Sequence, residues 1–189
     1  HLHIGEGYHN IVYTGDFKYG KTMLLEAATT EFPRVETIIT EGTYSAQGDI
    51  MPSRIEAEKK FFSIINETLE REGKVLIPVP AVGRAQEILL ILDEYMKRGE
   101  LKEAPVFIEG MISEATAIHT AHPEYLSREV RNSILNEGVN PFESDYFTEV
   151  EHPSARQDII EGEPSVIVAT AGMLEGGPII DYFQHLARD

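Results

Sequence analysis

Cysteine and tryptophan are both absent from the 189 residues. Without cysteine there is no disulfide, and any metal must rest on His, Asp or Glu. That agrees with a reducing, cytoplasmic setting. The missing tryptophan decides nothing. Basic residues are scarce: 16 Lys and Arg stand against 32 Asp and Glu, a formal net charge of −16. Phosphate contacts need cations, so weak nucleic-acid binding is expected of this chain alone, unless a basic groove is concentrated locally. Solubility is the plainer reading of the acidity. No apolar run approaches the ~18 residues that a membrane-spanning helix requires, and no basic stretch followed by an apolar one marks a signal peptide. What is present, 42% hydrophobic and 25% charged residues, is the balance of an ordinary globular protein. The length fits one domain, or one domain and a piece of another.

The chain begins on His-Leu-His, with no initiator Met, in what reads as a strand. A piece of a longer protein is therefore expected. Leu2 to Ile4 and Ile11 to Tyr13 read as short strands around a turn at Gly5-Glu6-Gly7, and Glu36 to Thr40 as a third. Ser53 and Glu56 match a capping box that opens a helix carrying Ile55, Phe62, Ile65 and Leu69, with Gly73 as its stop. Strand, loop and helix then alternate. Lys74 to Ile77 is a strand, and residues 84–97 form a helix with Ala85, Ile88, Leu89, Leu92 and Met96 on one face, closed by Gly99. Val106 to Ile108 is a strand, followed by helices near 113–122 and 127–135. Ser165 to Thr170 is a buried strand before a last helix with Ile180, Phe183 and Leu186. This order predicts an α/β fold, a parallel-rich sheet with helices on both faces. Ligands in such sheets bind beyond the carboxyl ends of the strands, which singles out the loops at 78–83, 109–113 and 171–178.

Several residues there have the chemistry of a site. Asp16, after Gly15 at a strand end, has the carboxylate that two-metal hydrolases use to bridge their ions; taken in isolation, a turn Asp accepting backbone amides is the plainer reading. Glu41, also at a strand end, suits orienting a histidine or sharing a proton; taken in isolation, a capping or loop-bracing carboxylate is its plainer reading. Arg84 opens a helix, where a guanidinium clamps phosphate; pairing with Glu87 or a more distant acid is the alternative. Gly172, Gly176 and Gly177 lie in a Gly-rich loop that lacks both the phosphate-loop ending and the dinucleotide-binding spacing; a tight turn is its simpler reading. His119 and His122, three apart on a helix, have no third ligand at suitable spacing, and His1 and His3 share a strand face without the Asp-His that a metal motif needs.

The order of these pieces carries a resemblance. Asn10-Ile11-Val12-Tyr13-Thr14-Gly15-Asp16-Phe17 resembles the fourth metal motif of metallo-β-lactamase ribonucleases. Glu41-Gly42-Thr43-Tyr44 resembles β-CASP motif A. Ile77 to Glu87 and Ala169 to Gly177 resemble two further stretches of the same family. The likeness covers essentially the whole chain and is greatest to archaeal homologues of the cleavage and polyadenylation specificity factor nuclease subunit. It implies that residues 1–47 are a remnant of a metallo-β-lactamase αββα core and that 48–189 are the β-CASP domain, which caps the site over an RNA cleft.

The resemblance implies a two-zinc ribonuclease of RNA 3′-end processing or decay. Asp16 would be the bridging carboxylate and Glu41 the support of a histidine that protonates the leaving group. Arg84, Gly172, Gly176 and Gly177 would touch RNA, and a homodimeric parent fits the family. The pattern also departs from the family. The His-x-His-x-Asp-His motif and a further metal histidine are expected before residue 1, and the later β-CASP histidines after residue 189. Gly42 stands where Ser is common, and Ser45 where Gly is. This chain alone is therefore expected to be inactive. An RNA-binding or scaffold module of a catalytically degenerate subunit is the alternative, with an unrelated nucleotide-binding domain behind it.

Overall fold

A computed structural model describes residues 2–5 and 9–187. His1 and the Glu6-Gly7 part of the expected first turn lie outside them. Two separate sheets form. The smaller contains β1 (Leu2–Ile4), β2 (His9–Tyr13) and β3 (Thr37–Ile39). β1 runs antiparallel to β2, while β3 runs parallel to it with Ile38 opposite Val12.

The larger unit begins at α1 (Arg54–Glu70). Ser53 caps it as the sequence predicts: its hydroxyl accepts from the Glu56 amide, and the Glu56 carboxylate accepts from the Ser53 amide. The stop falls one residue earlier than expected. Glu72 itself takes the left-handed φ of 60°, and the Gly73 amide then donates to the Thr68 carbonyl at 2.9 Å. β4 (Lys74–Pro78), α2 (Arg84–Lys97), β5 (Val106–Glu109) and α3 (Ile112–Ala121) follow in the predicted order. Gly99 closes α2 at φ 71°.

The helix expected over 127–135 is divided. α4 (Arg128–Asn132) is capped by Ser127 and passes into a π-helical turn, Ser133–Glu137, that ends on left-handed Gly138. The sequence reading left residues 140–164 unassigned. They hold β6 (Phe147–Glu149) and α5 (Arg156–Glu161). β7 (Ser165–Ala169) and α6 (Pro178–Leu186) complete the chain.

The large sheet is parallel throughout, in the order β4-β7-β5-β6. Alternation along β7 decides the layers. Val166 and Val168 face a core with Val106 and Ile108, covered by Ile65 and Leu69 of α1 and Ala85, Leu89, Leu92 and Met96 of α2. Ile167 and Ala169 face the opposite way, onto Ile159 of α5 and Ile179 and Tyr182 of α6. All five residues of β7 are buried, as a central strand with helices on both sides requires. The predicted fold class is the one observed.

Candidate functional site

Because β2 and β3 are parallel, their carboxyl ends lie at the same edge. The Thr14 amide donates to the Ile39 carbonyl at 3.0 Å, and the Glu41 amide to the Thr14 hydroxyl at 3.4 Å. Gly15 then turns the chain at φ 57°, leaving Asp16 exposed. Glu41 is half-buried, and its carboxylate accepts the Thr43 amide at 2.9 Å. That bond holds the Glu41 carboxyl below its ordinary pKa, so Glu41 is ionised at neutral pH. The fold thus brings the two sequence-selected carboxylates to one edge.

Glu36 holds that edge together. Its carboxylate accepts the buried Asn10 side-chain amide at 2.9 Å and the Asn10 backbone amide at 2.6 Å, and pairs with Arg34. With the Asn10 side chain as the main cause, the Glu36 carboxyl falls to about 2. Sequence reading passed over Glu36, because its role comes from a partner 26 positions away.

At the carboxyl edge of the large sheet, the stretch from Ala81 to Glu87 separates residue by residue. Gly83, at φ 78°, turns into α2. Arg84 is exposed, and its side chain has no hydrogen-bond or ion-pair partner among the described residues; the alternative Arg84–Glu87 pair does not form. Ala85 is core. Gln86 is fully buried: its carbonyl oxygen accepts the Gly83 amide at 2.7 Å, and its amide donates to the Ala81 carbonyl and the Thr116 hydroxyl at 3.0 and 2.9 Å. Glu87 pairs with Arg54 and accepts the Met23 and Leu24 amides at 3.0 and 2.7 Å.

The Gly-rich loop folds on itself, with the Ala171 amide donating to the Gly176 carbonyl and the Ile179 amide to the Thr170 carbonyl. Its glycines are not equivalent. A Cβ on Gly172 would lie 2.7 Å from Pro80 Cδ and 2.8 Å from Pro80 N, and one on Gly177 2.6 Å from the Thr170 carbonyl. Gly176 faces open space. Two of the three glycines therefore serve close backbone packing, and the loop tip beyond them exposes Met173 at 83%.

Beneath this loop lies a cluster that the sequence reading missed. Glu109, 6% exposed at the end of β5, accepts from Arg156 of α5 and from the buried Tyr182 hydroxyl of α6 at 2.7 Å. Arg156 also pairs with Asp181. Burial, followed by the bond to Glu109, raises the Tyr182 hydroxyl well above its ordinary pKa, so it stays a donor. No local motif marks three residues this far apart in sequence.

His119 and His122 behave as structural groups. The His119 ring bonds the Ala115 carbonyl at 2.7 Å, and the His122 ring meets Glu124 at the end of α3. Among the described residues, no group of three or more His, Cys, Asp or Glu is placed to hold a metal ion. Asp16 offers one carboxylate, and one donor does not fit a two-zinc centre. Nor, among the described residues, is any helix long and apolar enough to cross a membrane.

Comparison with known proteins decides the family. Residues 85–189, from α2 through α6, match the Beta-Casp domain. The chain belongs to the Beta-Casp family. Relatives of this Beta-Casp chain extend the match to its N-terminal part. The transcription termination factor FttA of Cenarchaeum symbiosum is 58% identical over 188 residues, which are 99% of this chain and 29% of that protein. FttA of a Lokiarchaeum species is 57% identical and FttA of Methanothermobacter thermautotrophicus 55%, each over all of this chain and 30% of its own length. The Beta-Casp chain thus spans about three tenths of the curated relatives it matches. The resemblance read from the motifs, to archaeal members of this family, holds.

Proposed function

We propose that this chain is part of a zinc-dependent ribonuclease of the cytoplasm that acts on RNA 3′ ends, in 3′-end processing, decay or the termination of transcription. Residues 48–189 form its β-CASP cap, and residues 1–47 belong to the metal-binding core. The observation that carries the reading is the shared edge of β2 and β3, from which Asp16 and Glu41 both emerge. Two-metal phosphodiesterases need a bridging carboxylate and a group to manage the leaving-group proton. Asp16 suits the first task, being exposed and free to take ligands. Glu41 suits the second indirectly: ionised and anchored by the Thr43 amide, it accepts a hydrogen bond from a histidine and fixes that ring's tautomer. The other zinc ligands lie elsewhere in the longer protein, so these 189 residues bind no zinc pair and cleave nothing by themselves.

Arg84, unpaired at the amino end of α2, provides a guanidinium and a helix terminus together for a phosphate. The names of the relatives place them at transcription termination, where the nascent RNA end is the natural substrate.

The test uses the full-length protein, a labelled single-stranded RNA and bound zinc measured by mass spectrometry. Asp16→Asn is expected to lose zinc and cleavage together. Glu41→Gln is expected to keep zinc and slow cleavage about 10- to 100-fold, the usual range for a group that orients a ligand. Wild-type cleavage by Asp16→Asn would overturn the metal role. RNA bound but left intact by the wild-type protein would leave an RNA-binding subunit of a degenerate enzyme.

A further inference from the structure

The hydrogen bonds described between the part before residue 48 and the large sheet unit meet one short segment, Lys21 to Glu26. This segment is held as a peptide is held in a groove. Its side-chain anchor is Leu24, 2% exposed, in a pocket of Leu90, Leu126, Val130 and Phe142. Its backbone is read on both sides. Glu87 takes the Met23 and Leu24 amides. The Ser127 hydroxyl donates to the Met23 carbonyl at 2.6 Å, and the Ser127 amide to the Leu24 carbonyl at 2.7 Å. An ion pair and a hydrogen bond close the ends: Lys21 meets Glu129, and the Glu26 carboxylate accepts the Arg128 backbone amide at 2.8 Å.

We infer that Lys21 to Glu26 is a strap that positions the Asp16–Glu41 edge against the β-CASP unit, with Leu24 as its anchor and Glu87 and Ser127 as positioning residues. The alternative tie is the chain from 42 to 53, where all twelve residues are exposed, which gives it little to fix an orientation. Leu24 lies eight residues after Asp16, so an anchored Leu24 keeps Asp16 within about 28 Å of extended chain. One turn of α2 therefore has two duties. Glu87 grips the strap, while Arg84, three residues earlier, stays free at the sheet edge. The geometry of the strap stands on its own; its consequence for RNA rests on the reading above.

The chain has no cysteine, so spin labels can be placed cleanly at Ile38→Cys on β3 and Ile118→Cys on α3, both well exposed. Pulsed electron–electron resonance then reads the distance between the two units. A single narrow distribution is expected with the native strap and with Leu24→Met, which refills the pocket. Leu24→Ala combined with Glu87→Gln is expected to broaden it at least twofold. Amide-exchange protection of Val166 to Val168 reports whether the large sheet stays folded; should the double variant lose it, Glu87→Gln alone decides. An unchanged width with the sheet protected would overturn the strap. Failure of the protein to bind RNA would sink the functional reading and leave the width result standing.

Discussion

Gly172, Gly176 and Gly177 look alike in the sequence and have different burdens in the fold. Alanine at Gly172 would drive a methyl group into the Pro80 backbone, a contact that cannot rotate away, so a loss of about 1–3 kcal/mol is expected. Alanine at Gly176 meets open space and should stay within about 0.5 kcal/mol of the parent. Thermal unfolding of the two variants checks the pair, and equal midpoints would refute it. The sequence announces a Gly-rich loop, yet which glycine is structural depends on where Pro80 lies, eighty-nine positions from Ala169 and on a different strand end. Gly176 has nothing within 4 Å of where its side chain would begin, so packing gives no reason for a glycine there. The same limit hid Glu109, Arg156 and Tyr182: each is an ordinary residue until the strand and two helices bring them together.

Elements were legible where period and length agreed. α2 has fourteen residues with an apolar stripe, and β7 is a continuous apolar run; both follow from patterning. β6 has three residues, and α5 six, too few for a period to register. The π turn after α4 has no period of its own to read in the sequence; it closes on left-handed Gly138, with the Val139 amide bonding the Ser133 carbonyl. The pairing of β2 with β3 has its own pH signature. The Glu36 carboxyl is lowered to about 2 by Asn10 and Arg34, against about 4.3 when unfolded. A lowered folded pKa means that the stabilisation is complete above the unfolded value and is lost as pH falls from there through about 2. Amide exchange in β2 and β3 should therefore accelerate between about pH 4 and pH 2 in the native chain, beyond the trend of the large sheet. In Glu36→Gln that extra pH dependence should vanish. An identical profile in the variant would remove Glu36 from this role.

At the scale of the whole molecule, the net charge of −16 and a proposed RNA site pull against each other. The conflict is resolved if few phosphates are touched by this part of the protein. Lys21, Arg34, Arg54, Lys97, Arg98 and Arg156 are already engaged in ion pairs, while the Arg84 side chain at the carboxyl edge is not. Each phosphate contact to a single strand contributes a slope of about −0.7 to the salt dependence of log affinity. One or two contacts therefore predict weak binding with a slope between about −0.7 and −1.4, and Arg84→Ala should flatten it by about 0.7. Fluorescence anisotropy of a labelled single-stranded RNA, titrated at several salt concentrations, measures both. A slope several times steeper, or one untouched by Arg84→Ala, would show that RNA meets a different basic surface and would move the cleft away from the amino end of α2. A shallow slope that Arg84 controls would mean that the β-CASP part orients RNA with a single fork, leaving the bulk of the affinity to the rest of the longer protein.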